Sequence, residues 1–342
     1  MSSLFLNSIM TICFVAGKSG GHILPCLTQA THIQQQNPQT KLYLFSSGGD
    51  LDHKIMKKYP SITHVVPTEL DNPPYQQPWL LPWFACKTAW YFVKSVYYLY
   101  SIKADKVVSF GGFVSVPTCL AAKVLGIPIE LYELNVEPGK TTKLLSKITP
   151  TIHTCFETTK NYFPKNNCIL TPYPIRFTEF DRIFDAAQLF AKYNLQPGKM
   201  TVLILGGSQG SILLNQTFKD LIIQNPEIAS RIQVIHQTGS QDPFDYSAFY
   251  TSHFIPSYVF NYCEQLQDFY NIADIIICRA GAGTLFEIDF FGKTCITVPH
   301  ETPNTNHQIK NVLELQSQKP DQFYIIEQSK LCPASLVKFF FK

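Results

Sequence analysis

A chain of 342 residues, 45% apolar and 15% charged, holds enough hydrophobic side chain for one or two ordinary cores and is not a disordered protein. Its net charge of +3 is divided unevenly: residues 1–173 carry 15 Lys, no Arg and 9 acidic side chains, a balance of +6, and the rest of the chain carries −3. The positive front half is expected to favour anionic surroundings, but its lysines are dispersed and form no recognised module, which excludes a nucleic-acid-binding reading.

The first residues, MSSLFLNSIMTICFVAG, lack an n-region charge and a clean apolar stretch. No secretory signal is therefore expected, and Met10 is an alternative start. Residues 11–16 read as a buried strand, followed directly by Gly17-Lys18-Ser19-Gly20-Gly21-His22 and a helical run over 23–35. Lys18-Ser19 invites comparison with a P-loop, but that motif needs glycine where Ile12 stands, so ATP binding is excluded here. Small residues at this turn let the backbone approach a diphosphate closely. His22 opens the helix, and an ordinary imidazole pKa of about 6.5 suits it to act as a base near neutral pH. The alternative for a single histidine is a purely structural role.

A second strand over 41–45 precedes the turn Ser46-Ser47-Gly48-Gly49-Asp50. The segment 76–100 then gathers all three tryptophans, Trp79, Trp83 and Trp90. Trp83, Trp90 and Tyr97 recur every seven residues and so share a helical face, with Lys87 and Lys94 four positions beyond the first two. Pro82 and the lysines exclude a membrane-spanning helix, which needs about 20 predominantly apolar residues. An interfacial segment is expected, with rings at headgroup depth and lysines facing anionic lipid; an ordinary core helix with an aromatic stripe is the alternative.

Further strands are predicted over 106–110, ending in Gly111-Gly112, and over 127–132, followed by Glu133-Leu134-Asn135. Strand ends that converge on polar loops mark the carboxyl edge of a parallel sheet, where such folds bind ligands. Thr171-Pro172-Tyr173-Pro174 reads as a linker, so domains are expected over 1–173 and 174–342. The second repeats the pattern: strand 201–205 into Gly206-Gly207-Ser208-Gln209-Gly210-Ser211, strand 231–235 into His236-Gln237-Thr238-Gly239, and strand 275–278 into Arg279-Ala280-Gly281-Ala282-Gly283. A helix is predicted from Thr284, with Glu287 in its first turn, placed to accept from two adjacent sugar hydroxyls. Unpaired amides at that helix start suit a phosphate. The strand 294–298, a polar loop ending in His307-Gln308, and Asn311 beyond it add amides for a sugar. The predicted fold class is thus α/β, with two Rossmann-like domains facing a cleft. Ten scattered cysteines with no C-x-x-C pair read as reduced core residues of an intracellular protein, and no metal site is expected.

The ordered set of motifs, Gly17–His22, 110–117, Tyr132-Glu133-Leu134-Asn135, Pro174-Ile175-Arg176, 206–211, 236–239, and 279–287 with Gln308 and Asn311, resembles the MurG family of UDP-N-acetylglucosamine transferases of peptidoglycan synthesis. The resemblance runs from about Met10 to the C-terminus. It implies a GT-B fold, an inverting hexosyltransferase, and no metal or other cofactor, UDP-N-acetylglucosamine being a substrate. By that resemblance Ser208 and Gln209 lie near the donor diphosphate. Ala282, Gly283, Thr284, Leu285 and Phe286 form the donor-binding helix start, Glu287 meets the ribose, and Gln308 and Asn311 lie near the sugar. Cys263 falls where the family places a backbone contact to uracil, and Ser19, Gly20, Gly21, Asn135 and Arg176 match further donor contacts.

The implied acceptor is a polyprenyl-diphosphate-linked sugar, lipid I. It would be met by Gly17, Lys18, Gly111 and Gly112, with His22 as catalytic base. Trp79, Trp83, Lys87, Trp90 and Lys94 would rest on the anionic cytoplasmic face of the inner membrane. Departures from the family pattern are Lys18 in place of a glycine, Tyr132 and Leu134 in place of a histidine and a glutamine, and residues 171–174 in place of a Gly-Asn-Pro hinge. The C-terminus is expected to be short, ending in Phe339-Phe340-Phe341, a sticky surface unless packed. A same-fold transferase for another lipid acceptor, and a binding protein that keeps the UDP-sugar pocket without catalysis, are the alternatives.

Overall fold

The computed structural model describes residues 9–17, 20–46, 59, 61–70, 72–207, 209–263, 265–301 and 306–341. The chain divides into two compact units, Met1–Arg176 and Phe177–Lys342. Among the described residues of the first unit, β1 (Thr11–Val15), β2 (Lys41–Ser46), β3 (His64–Pro67), β4 (Lys106–Ser109), β5 (Ile129–Glu133), β6 (Thr151–Thr154) and β7 (Asn167–Leu170) form a parallel sheet in the order β3-β2-β1-β4-β5-β6-β7. In the second, β8 (Met200–Leu205), β9 (Ile232–Gln237), β10 (Ser257–Phe260), β11 (Ile275–Cys278), β12 (Thr294–Thr297) and β13 (Phe323–Ile325) form a parallel sheet in the order β10-β9-β8-β11-β12-β13.

Both sheets are doubly wound, and each reverses its strand order once, between β1 and β4 and between β8 and β11. The central strands are apolar because helices cover both faces: β1 and β11 are buried along their whole length. Each fully buried Leu, Ile or Phe in these cores contributes about 1.5–3 kcal/mol. The glycine loops follow the strands that flank the two reversal points, where the carboxyl ends of neighbouring strands splay apart and leave room for a ligand.

The aromatic segment is a short 3-10 turn, Pro78–Leu80, running into the 21-residue helix Leu81–Ser101. Pro82 sits in the first turn, where its missing N–H costs nothing. Tyr91, Ser95 and Leu99 face inward, and the Ser95 hydroxyl lies 3.3 Å from that of Thr118. The opposite face leaves Trp79, Trp83 and Trp90 72%, 71% and 67% exposed, in a stripe that Val93, Tyr97 and Tyr100 continue. Lys94 turns aside and donates to the Pro67 carbonyl at 2.8 Å. Among the described residues no helix is long and apolar enough to cross a membrane. The C-terminal phenylalanines pack: beyond the helix Pro333–Val337, Phe339 and Phe340 are buried in the core of the second unit, against Tyr324 and Phe218. Only Phe341 of the three stays at the surface, under the Arg231 guanidinium.

Candidate functional site

The loops after β8, β9, β11 and β12 enclose a cavity of about 460 Å³ in the second unit, at the point where the strand order reverses. The loop after β8 is shaped by glycines that no other residue replaces cheaply. Gly207 and Gly210 take φ of 88° and 79°, a region that costs L residues roughly 1–2 kcal/mol. A methyl group on Gly210 would stand 2.3 Å from the Thr238 carbonyl oxygen, and one on Gly239 would stand 2.3 Å from that of Gln209. The loops after β8 and β9 therefore touch backbone to backbone.

Two helices begin at this cavity. Ser211 caps the helix Ile212–Gln224, its hydroxyl accepting from the Leu214 amide at 3.5 Å, and Ile212 and Leu213 line the wall. The helix Ala282–Phe290 starts from an extended Gly281, and Gly281 and Thr284 line the wall opposite. Between them lies Arg279, a residue the sequence motifs contained but did not single out. Its Nε donates to the Ser211 hydroxyl at 3.2 Å, and its Nη1 donates to the Val298 carbonyl at 3.1 Å and to Gln328 Oε1 at 2.8 Å. Its Nη2 group has no partner among the described residues. Burial pulls the Arg279 pKa down, the cost of holding a cation away from water, while Cys278 and Glu301 work against that shift. A guanidinium stays charged regardless. A helix N-terminus stabilises a nearby anion by about 0.3–1 kcal/mol, whereas a hydrogen bond to a charged group contributes about 1.5–3 kcal/mol, so an anion placed in this cavity would gain more from Arg279 than from either helix start.

Of the residues singled out in the sequence, Gln209, Thr284 and Gln308 line the cavity. Gln308 is held by accepting from the His300 amide at 2.7 Å. Ala282 and Leu285 are buried on the inner face of their helix, and Gly283 and Phe286 are half-buried. Glu287 is not in the first turn: the helix begins at Ala282, two residues before the predicted start, so Glu287 is its sixth residue. There its carboxylate accepts from the Tyr270 hydroxyl at 2.9 Å, and it is not among the cavity-lining residues. Asn311 is fully buried in the helix His307–Gln318. Cys263 is half-buried in the loop after β10. Ser208 lies outside the described residues, as do Lys18, Ser19 and the turn residues 47–50. Thr238 and Asp242 also line the cavity, and the sequence reading had not named them as site residues.

In the first unit the loops after β1 and β4 meet. The Gly17 amide donates to the Gly111 carbonyl at 3.0 Å, and a methyl group on Gly112 would stand 2.6 Å from the Gly17 Cα. Gly111 and Gly112 have φ of 91° and 81°. Gly20 and Gly21 open the helix Gly20–Gln36, and His22, its third residue, packs against the paired loops: a methyl on Gly111 would lie 3.5 Å from His22 Nε2, and one on Gly17 would lie 3.5 Å from Nδ1.

Glu133, at the end of β5, is nearly fully buried and accepts from the amides of Asn135 and Gly139, both at 3.1 Å, and from Asn135 Nδ2 at 3.3 Å. Burial pushes its pKa up, against those hydrogen bonds and one from Thr142. Asn135 is thereby fixed, and Arg176 lies half-buried at the end of the unit. Tyr132, one of the departures from the family pattern, is a core residue. Its ring is stacked between Phe110 and His153 at 4.6 and 4.4 Å, and burial raises its hydroxyl pKa to about 12. Among the described residues no group of three or more His, Cys, Asp or Glu side chains gathers as a metal would require.

Comparison with known proteins places both units. Residues 12–154 match the glycosyltransferase family 28 N-terminal domain and residues 201–339 match the glycosyltransferase family 28 C-terminal domain. The chain is 33% identical over 230 residues to the UDP-N-acetylglucosamine--N-acetylmuramyl-(pentapeptide) pyrophosphoryl-undecaprenol N-acetylglucosamine transferase of Geobacter sulfurreducens, a match covering 67% of this chain and 62% of that protein. It is 30% identical over 319 residues to the protein of the same name in Amoebophilus asiaticus, covering 90% and 84%. Among solved structures it is similar to the MurG of Acinetobacter baumannii, with a TM-score of 0.70 and 24% identity over 97% of this chain and 90% of that one, which shows the shared fold. The relatives, the paired domains and the two reversal-point loops agree, and the chain belongs to the MurG family of N-acetylglucosamine transferases.

Proposed function

We propose that the chain moves N-acetylglucosamine from UDP-N-acetylglucosamine to lipid I, giving lipid II in peptidoglycan synthesis. The observation that carries this reading is the cavity at the β8/β11 reversal, where a positive-φ glycine loop, two helix starts and a half-buried Arg279 converge. That arrangement suits a diphosphate flanked by a nucleoside and a sugar, and family membership supplies their identities. The donor phosphates lie against 206–211 and Arg279, with Ser208 and Gln209 in contact. The start of the helix Ala282–Phe290 and Gln308 approach the sugar, Glu287 approaches the ribose, Cys263 the uracil, and Asn311 holds its helix from within. Ser19, Gly20, Gly21, Asn135 and Arg176 complete the donor contacts, and no further cofactor enters.

The reaction is an inverting displacement. The C4 hydroxyl of the muramoyl sugar attacks the anomeric carbon, the bond to the UDP oxygen breaks, and His22 takes the hydroxyl proton. UDP departs as an anion stabilised by amides and by Arg279, a term worth several kcal/mol in a water-poor site. Gly17, Lys18, Gly111 and Gly112 meet the acceptor diphosphate. The exposed stripe Trp79, Trp83 and Trp90, with Lys87 and Lys94 on its flank, rests on the anionic inner leaflet, which puts the protein peripherally on the cytoplasmic face.

His22→Ala tests the mechanism directly. The expected outcome is a kcat about 100- to 10,000-fold lower, the usual contribution of a general base, with UDP-N-acetylglucosamine affinity unchanged by calorimetry. Undiminished turnover would remove His22 from the chemistry.

A further inference from the structure

His236 is the fifth residue of β9, paired with Ile204 on one side and Val259 on the other, and it is completely buried. An imidazole in such a place is costly unless both nitrogens are satisfied. Here Nδ1 lies 2.8 Å from the Tyr250 hydroxyl, and Nε2 lies 3.0 Å from Asn215 Oδ1.

The direction of each bond follows from the next. Asn215 Nδ2 faces two groups that only accept, the Thr238 carbonyl and Asp242 Oδ2, each at 2.9 Å. The Asn215 amide orientation is thereby fixed, its oxygen must accept from His236, and Nε2 carries the proton. Nδ1 is then bare and accepts from Tyr250. Burial agrees with this neutral form, holding the His236 pKa down to about 3, with Asp242 opposing the shift. Asp242 in turn accepts from the Tyr246 hydroxyl at 3.0 Å and from the Phe244 amide at 3.2 Å.

The far end of this relay is the cavity, since Thr238 and Asp242 both line it. The contact beyond is stiff. Thr238-Gly239 lies so close to Gln209-Gly210 that neither glycine leaves room for a methyl group, so a displacement of Thr238 displaces the loop after β8 as well.

We propose that His236 is a positioning residue for donor binding: its neutral Nε2–H form orients the Asn215 amide, which pins Thr238 and Asp242 and so sets the position of Gln209-Gly210 in the loop after β8. This rests on the reading of that cavity as the UDP-sugar site. His236 touches no substrate, and its effect is on affinity for the nucleotide diphosphate rather than on the chemical step.

The test compares His236→Leu, His236→Gln and Tyr250→Phe with the unaltered chain. UDP binding is measured by calorimetry, donor KM and kcat by steady-state transfer, and the melting temperature alongside. Leucine fills the space but offers no donor to Asn215, whereas glutamine restores an N–H at about the right reach. The expected result is a UDP Kd and a donor KM about tenfold higher in His236→Leu with kcat within about threefold, a change worth ~1.4 kcal/mol of binding. His236→Gln should recover most of the affinity. In ¹⁵N-histidine-labelled protein, the imidazole signals lost on substituting His236 should show a protonated Nε2 and a bare Nδ1, and Tyr250→Phe should shift the latter.

An unchanged UDP Kd in a folded His236→Leu would overturn the proposal. So would equal losses in the leucine and glutamine variants, which would mean packing alone, or a proton found on Nδ1. If His236→Leu does not fold, the glutamine variant and the tautomer measurement still decide. An unaltered chain that binds no UDP would instead overturn the reading of the cavity, a result the calorimetry separates from the others.

Discussion

Three N–H groups of the Arg279 guanidinium tie together the loops that follow β8, β12 and β13, and the same side chain lines the cavity. Charge-assisted bonds to phosphate are the strong ones, so its removal should be felt by the phosphates and not by the base. Arg279→Ala is expected to weaken UDP binding about 10- to 100-fold while leaving the much weaker binding of uridine unchanged, both measured by calorimetry. Equal losses for the two ligands would mean that Arg279 only holds the loops. At this scale the sequence was partly legible. A glycine run after an apolar strand is a local signal, and it drew attention to Gln209. Gln308 stood out as an amide at the end of a polar stretch, although it is the second residue of the helix His307–Gln318. Arg279 and Thr238 sit inside such glycine motifs without standing out from them, and Asp242 lies beyond any motif, because their importance depends on which strand ends become neighbours when β11 and β9 both pair with β8. The position of Glu287 was misjudged for a smaller reason. A helix that starts at Ala282 rather than Thr284 rotates its sixth residue away from the first turn and toward Tyr270.

Among the elements, the helix Leu81–Ser101 turns Tyr91, Ser95 and Leu99 to the core and an aromatic stripe outward. Trp83, Trp90 and Tyr97 lie on one exposed stripe, and the sequence interval of seven residues was enough to place them together. That stripe is free of core duties, so Trp83→Glu with Trp90→Glu should leave the melting temperature within a few degrees of its starting value. Binding to vesicles containing phosphatidylglycerol should fall by about tenfold or more in a co-sedimentation assay, because apolar rings and a favourable surface charge are both lost. Unaltered vesicle binding would assign the membrane contact to another surface. The strands show where such reading stops. The apolar runs of β1, β8 and β11, buried along nearly their whole length, were plain, whereas β3, β6, β7, β10 and β13 are only partly buried. β7 is largely exposed at the sheet edge, so neither its period nor its composition marks it. They are strands because a neighbour offers a partner, which is information from outside the segment.

At the scale of the whole molecule, two parallel sheets of the same winding follow one another along the chain, and the positive charge is concentrated in the first. The repeat of strand, glycine turn and helix made the two-domain α/β class readable, since each unit repeats the same local grammar. The packing of the C-terminus was not readable. Whether Phe339 and Phe340 meet solvent or a core depends on the groove beside Phe218 and Tyr324, which residues more than a hundred positions apart create. The central claim joins the two units in one reaction, and the most direct measurement is transfer of labelled N-acetylglucosamine from its UDP donor to a short-chain lipid I analogue by the purified 342-residue chain in anionic vesicles. The expected result is a labelled lipid II product that requires the muramoyl acceptor, is lost when other lipid-linked sugars or diacylglycerol replace it, and is inhibited by UDP. Tight UDP-N-acetylglucosamine binding by the folded chain with no transfer to lipid I would contradict the account.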